Sequence, residues 1–330
     1  MKRTAKIGLL GLLLWISWTG NSVAQLIPVL GGQRAGTAMA TFLKIGVGAR
    51  AEGMGGAFVA VGTDATALYW NPAAVAQSPK NELVFSHTNW PVEIRHEFLG
   101  YVQHLGSGNH LGVYAIALHT DEMEETTEFR PLGTGNFFSY GDLAVGMTFA
   151  RNMTDRFSFG ISVKGIRETL AEVHATGLLL DFGTFYWTGW RTARFAVSVS
   201  NFGPNLRPRG SFRTRFGKKV DRFQDFPPPT IFRIGFATEV WQTPDHQVTT
   251  SMQLNHPNDD AENLNFGVEY GWRKVLWLRG GYRLNVDEQR FTFGFGLQLP
   301  VRSTDFRLQY AYTEFGRLGT AQRITACFGF

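Results

Sequence analysis

The chain has 330 residues, a formal charge of +5 and one cysteine, which excludes a disulfide scaffold and a cysteine-based zinc site. It carries 38 glycines and 28 phenylalanines with only 18% charged residues, too apolar for disorder. No apolar run reaches the ~20 residues of a spanning helix, so a polytopic helical membrane protein is excluded as well.

Residues 1–24 read as a secretory signal peptide. Lys2, Arg3 and Lys6 precede an apolar stretch from Ile7 to Trp18, and Ser22-Val23-Ala24 supplies small residues at the cleavage positions. About twelve apolar residues are too few for an anchor. No cysteine follows them, so lipoprotein processing is not expected. The mature chain is expected from near Gln25, outside the cytoplasm.

Within the N-terminal segment 25–80, residues 42–76 lack clean period-2 alternation and are rich in Gly and Ala, which allow close backbone approach. This segment reads as a compact hatch that can fill a barrel. Gly46, Gly48 and Ala51 nearly match a dinucleotide fingerprint, but no strand precedes them and no βαβ unit follows, so no cofactor is expected.

From residue 81 to the end the apolar residues alternate. Phe157, Phe159, Ile161 and Val163 interleave with Ser158, Gly160 and Ser162; Phe291, Phe293, Phe295 and Leu297 interleave with Thr292, Gly294 and Gly296. Period 2 means strands with one apolar and one small or polar face. The alternation predicts strands near 82–88, 95–104, 110–119, 140–151, 156–167, 175–187, 192–201, 229–240, 246–254, 263–272, 275–284, 290–299, 304–313 and 321–330. Short connections alternate with longer ones, notably 120–139 and 202–228. The expected fold is therefore all-β: a transmembrane antiparallel β-barrel of about 14 strands, lipid outside, with the small N-terminal hatch inside its lumen. A soluble sandwich is the competing reading of the alternation, and the signal peptide and strand lengths weigh against it. The final strand places Phe328 and Phe330 on the apolar face and Cys327 inward as a small filler. A closing amphipathic strand that ends in Phe resembles the signal by which outer-membrane barrels are recognised for assembly.

The run Gly48-Ala49-Arg50-Ala51, then Gly53-Met54-Gly55-Gly56-Ala57, then Trp70-Asn71-Pro72-Ala73, closely resembles the PorV/PorQ family of outer-membrane proteins. Phe85-Ser86-His87-Thr88, Asn201-Phe202-Gly203-Pro204, Gly281-Tyr282-Arg283 and the closing Phe-Gly-Phe extend the likeness. That family belongs to a larger group similar to the fatty-acid transporter FadL. The resemblance implies a bacterial outer-membrane barrel of fourteen strands with an N-terminal hatch. It also implies a part in type IX protein secretion, binding secretion-system proteins or cargo C-terminal domains. The alternative is a FadL-like channel for small hydrophobic molecules. A general porin fits less well, because Gly, Ser and Ala dominate the inward face and the hatch leaves little room for water.

No catalytic chemistry is legible. The eight histidines lack paired ligand spacing, and Gly160-Ile161-Ser162-Val163-Lys164 lacks the second glycine of a nucleophile elbow. Neither an enzyme nor a metal site is expected. The acidic cluster Asp121, Glu122, Glu124, Glu125 and Glu128 reads as a solvated loop or a weak cation site. Between Asn205 and Pro229, Arg207, Arg209, Arg213, Arg215, Lys218, Lys219 and Arg222 face only Asp221 and Asp225, an excess of +5. With Phe212, Phe216, Phe223 and Phe226 among them, this loop could engage lipopolysaccharide or an acidic protein surface, or be mobile and solvated. Nucleic acid is not expected outside the cell.

Arg50 is the only Lys or Arg within 45–79. A cation in a filled lumen should be paired. Glu269 and Asp181 offer carboxylates from inward strand faces, and Glu52 and Asp64 are nearer in sequence. The other reading points Arg50 at periplasmic water. Trp70-Asn71-Pro72 is expected to turn the chain into the first strand.

Overall fold

The computed structural model describes residues 34–214, 217–301 and 304–330. The expected signal peptide, and Arg215 of the basic loop, lie outside the described residues.

Fourteen strands form one closed antiparallel barrel. They are β1 Glu82–Trp90, β2 Ile94–Gly106, β3 Asn109–His119, β4 Tyr140–Asn152, β5 Phe157–Leu170, β6 Val173–Trp187 and β7 Arg194–Phe202. They continue as β8 Ile231–Gln242, β9 His246–Pro257, β10 Asn263–Trp272, β11 Leu276–Leu284, β12 Phe291–Val301, β13 Thr304–Glu314 and β14 Thr320–Gly329. No expected strand end moves by more than three residues. The largest shifts, at Leu170 and Pro257, lie at the end with the long loops. There the ladder continues after the apolar alternation has faded.

Closure is direct: β1 pairs with β14 from Glu82↔Gly329 through Ser86↔Thr325 to Asn89↔Gln322. The outer face is apolar, and the inner face mixes buried apolar side chains such as Phe98, Ile116 and Phe185 with small, polar and charged ones. Phe293 is 60% exposed while Thr292 beside it is 0%. Such alternation on every strand gives the outward band that a barrel presents to lipid. Short turns and both ends of the barrel chain gather at one rim. At Arg273-Lys274 both residues have positive φ (51° and 55°), matching the twist of a two-residue hairpin. The other rim carries the long loops, each stiffened by a small hairpin: Met123–Glu124 with Phe137–Phe138, and Phe212–Arg213 with Lys219–Val220. The described parts of the basic loop also carry the bridges Leu206↔Phe226 and His174↔Arg209.

Residues 40–78 fill the lumen. They form a 3-10 turn Thr41–Lys44, a short helix α1 Ala49–Gly53, a second short helix α2 Ala67–Trp70 and a 3-10 turn Pro72–Gln77. Asn71 caps the last turn by accepting from the Ala73 amide, with Pro72 at its first position. Hydrogen bonds from this inner segment reach strands all round the barrel. The Ala49 amide donates to Thr325 of β14 and the Phe58 and Val59 amides to Gln253 of β9. The Asn71 side chain donates to Thr184 of β6 and that of Gln77 to Ser158 of β5.

The lumen wall keeps the expected inward carboxylates Asp181 and Glu269 and adds further charge. Beside the small residues it buries Lys164, Asp181, Arg194, Arg233, Glu269, Arg279 and Arg323. In sequence each is a single polar residue at inward parity. Adjacent strands already set Glu269 opposite Arg279 and Lys164 beside Asp181, and the inner segment brings Arg50 to Glu269 and Glu52 to Arg283.

Candidate functional site

The most charged part of the lumen lies where α1 and the turn after it meet β10–β14. Two glycine pairs set the approach. A Cβ on Gly53 would lie 3.1 Å from Gly294 Cα, and one on Gly55 would lie 3.2 Å from Gly281 Cα. Gly55 also has φ +68°, a left-handed conformation that glycine adopts without strain. The turn thus rests backbone to backbone on β11 and β12.

Charges flank that contact on both sides. Arg50 donates through Nε and Nη2 to Glu269 at 2.8 and 2.7 Å, and through Nη1 to Asp64 at 3.2 Å. Arg279 donates to the same Glu269 at 2.6 Å. Asp64 also accepts from the Thr66 amide and hydroxyl. Two residues on, Glu52 accepts from Arg283 at 2.7 Å and has Arg323 at 3.3 Å. Burial works against the charges of Arg50, Glu52 and Asp64, and their pairings outweigh it. Arg323 and Arg283 hold the Glu52 carboxyl below its ordinary range. Arg50 and Arg307, with the Thr66 hydrogen bonds, do the same for Asp64. Glu269 and Asp64 raise Arg50.

Of the four carboxylates offered to Arg50, Glu269 and Asp64 take it. Glu52 goes to Arg283. Asp181 is committed elsewhere, bonded by Lys164 Nζ at 2.8 Å and by the Asn201 amide at 2.6 Å. The Arg50 side chain is 14% exposed, so the solvent-facing reading fails. The other motif residues converge on the same segment. Gly48 (φ +87°) opens α1, where a Cβ would lie 2.8 Å from Thr66 Cγ2. Trp70 Nε1 donates to Val47 O, and Gly56 packs against the Trp70 ring. Asn71 and Pro72 turn the chain toward β5 and β6 before it enters β1.

The remaining candidates lie elsewhere. Arg207 is paired with Asp225 and Lys219 with Asp221, while the Arg209 backbone bridges to His174. Arg213, Lys218 and Arg222 belong to the same loop, at the rim away from the short turns, remote from Arg50. Phe328 packs beside Phe306, and Phe330 stacks on Tyr101 while its amide donates to Asn81 O. In the acidic loop the Glu125 carboxylate accepts from Thr134 and Asn136. Among the described residues, no three His, Cys, Asp or Glu are grouped to hold a metal.

Sequence reasoning missed the wall arginines: Arg233, Arg279, Arg283, Arg307 and Arg323. One signal could have found them. Each is a cation at the inward parity of an alternating strand, a costly place unless a partner waits across the lumen.

Two cavities lie on opposite sides of α1. One of about 760 Å³ opens among the long-loop ends of the strands, with Glu52, Trp70, Trp90, Arg233, Arg283 and Arg323 in its walls. The other, about 220 Å³, lies among the short-turn ends and includes Arg50, Arg279 and Arg307.

A model of the family described as UPF0164, an uncharacterised protein family, matches residues 23–173. No curated protein matches the sequence. Among solved structures, the toluene transporter TodX of Pseudomonas putida is similar, with TM-score 0.57 and 14% identity over 86% of this chain and 97% of that one. A FadL homologue of Pseudomonas aeruginosa gives TM-score 0.57 and 10% identity over 86% and 96%. The monoaromatic hydrocarbon channel CymD gives 0.55 and 14% over 87% and 98%. At these identities the likeness is one of fold: the chain has the FadL-type outer-membrane barrel architecture.

Proposed function

We propose that this chain is an outer-membrane channel for small molecules with an apolar part, and that α1 with the Gly53–Gly56 turn is its hatch. The long loops face outward and the short turns face the periplasm. The observation that carries the reading is the placement of the two cavities, one on each side of a single turn that non-covalent pairs hold to the wall. A small displacement of that turn would join them. The outer cavity combines the apolar surfaces of Ile45, Ile231, Trp70 and Trp90 with Arg233 and Arg283, so it suits a ligand with an apolar body. The fold neighbours named as a toluene transporter and a hydrocarbon channel support this cargo class over secreted protein. The same reading makes the protein a non-enzyme.

The test is uptake of a labelled monoaromatic compound by cells whose own outer-membrane uptake proteins are deleted. Uptake above the empty vector, raised further by loosening the hatch, is expected. Folded protein at the surface with no added uptake would overturn the channel.

The PorV/PorQ resemblance supplies a second reading, a type IX secretion barrel that grips a protein partner or lipopolysaccharide. What favours it is the outer loop between β7 and β8, whose described parts are bridged at Leu206↔Phe226 and paired at Phe212–Arg213 with Lys219–Val220, and which shows Phe212 at its surface. Cross-linking of the native barrel in membranes tests it; recovery of lipid alone would count against a protein partner.

A further inference from the structure

Passage of apolar molecules leaves the chemistry of the inner cavity's lining unexplained. Its lining presents three guanidiniums, Arg50, Arg279 and Arg307, with the amides of Gln298 and Gln309; its remaining polar groups are the Gln247 amide, the Thr63 hydroxyl and the Trp277 indole N–H. No carboxylate lines it among the described residues. The carboxylates that neutralise these arginines sit away from the cavity. Glu269 takes Arg279 Nε and two donors of Arg50, Asp64 takes the third donor of Arg50, and Glu82 takes Arg307 Nη2.

Donors are left over. Arg279 Nη1 has no hydrogen-bond partner although its side chain is only 2% exposed, and Arg307 Nε has none either. A buried N–H without an acceptor carries its full desolvation cost. Gly296 keeps the space beside Arg279 open: a Cβ there would lie 2.8 Å from Nη1. At about 220 Å³ the cavity is smaller than the ~300–1,000 Å³ pockets of drug-sized ligands, yet several times the ~30 Å³ share of one water.

We propose that this cavity binds a small oxyanion, a phosphate or carboxylate group, through Arg279 and Arg307 with the amides of Gln298 and Gln309. Guanidinium groups present paired N–H donors at the spacing of two oxyanion oxygens, which a single ammonium does not. The site belongs to the folded barrel and its inner segment. It does not depend on whether solutes pass through, so its failure and that of the channel reading are separable.

The experiment is titration calorimetry on the full chain in detergent, with inorganic phosphate in one arm and benzoate in the other. Saturable binding in the phosphate arm alone identifies a free or esterified phosphate, and in the benzoate arm alone an organic carboxylate; each supports the site. Arg279→Lys keeps the charge beside Glu269 but loses the spare N–H, and Gln309→Leu removes an amide. Each should weaken binding about tenfold or more, the weight of one charge-assisted hydrogen bond. Gly296→Ala should weaken it by crowding the same donor. If Arg279→Lys fails to fold, Gln309→Leu and Gly296→Ala carry the test, since neither removes a member of an ion pair. The proposal is overturned if neither anion binds saturably. It is equally overturned if binding ignores these three variants and disappears on Arg209→Ala with Lys218→Ala in the basic loop.

Discussion

Against β5 and β6 the inner segment lies as backbone and small apolar side chains; against β10–β14 it lies as glycine and charge. On the first side a Cβ at Gly160 would overlap the Pro72 carbonyl, and one at Gly183 would overlap the Asn71 side chain. Ala73, Ala74 and Val75 are buried within 1%. On the second side the backbones of Gly53 and Gly55 approach Gly294 and Gly281 as closely, but Arg50 and Glu52 hold the contact and a cavity flanks each end. The physical difference is in what replaces each contact when it opens. Separated apolar surfaces gain nothing from water. Separated charges regain hydration, which offsets much of the lost pairing. On the proposed channel reading the same segment is anchored at one wall and releasable at the other.

The largest effect should come from Arg50→Ala. It leaves Glu269 and Asp64 buried with one cation fewer, and removing one partner of a buried pair costs about 3–5 kcal/mol. The barrel should still assemble, with single-channel conductance in planar bilayers raised well above the wild type. Unchanged conductance in a folded variant would mean that charge does not hold the releasable wall.

Gly160→Ala probes the anchored wall. The added methyl meets main chain, not a movable side chain, and overpacking of this kind costs about 1–3 kcal/mol. Denaturant unfolding from lipid vesicles should show that loss without any rise in conductance. Gly165→Ala, where a Cβ meets nothing within 4 Å, is the matched control and should behave as wild type. A leaky Gly160→Ala barrel would erase the distinction between the walls.

Smaller still is the coupling of Glu52 to Arg283. A double-mutant cycle with Glu52→Gln and Arg283→Gln should give an interaction of about 1 kcal/mol in unfolding free energy, within the range for paired neighbours. Additive single effects would remove Glu52 from the contact.

Acidity should do least. The Glu52 carboxyl is held below its ordinary value of 4.5 because Arg323 and Arg283 outweigh burial, and Asp64 is held below 3.8 by Arg50 and Arg307. A depressed folded pKa means stabilisation that is complete above the ordinary value and lost only as pH falls through the folded one. Conductance should stay flat from pH 7 to about 4.5 and rise only below that. A rise near pH 6 would mean that groups other than Glu52 and Asp64 control the opening.

The barrel was legible because alternation is a local property. Phe159 and Ser162, or Phe293 and Thr292, declare their faces within a few residues, and each strand repeats the statement independently. The glycine and Trp-Asn-Pro positions of residues 48–72 were visible as composition without their reason, which is close approach to Gly281, Gly294, Gly160 and Gly183. That Arg50 needed a carboxylate followed from the cost of burying a lone charge. Which one it took did not. Glu269 is 219 residues away and Asp64 only 14, and both bond it, while Asp181 on an equally inward face belongs to Lys164. The sequence by itself determined period, parity and sign: which residues face in, and that charges there must pair. Only the closed tertiary structure decided the pairing, the two cavities and the unpartnered donors of Arg279 and Arg307. Those depend on the shear and diameter of the closed sheet, which set distances across the lumen that no local window of sequence contains.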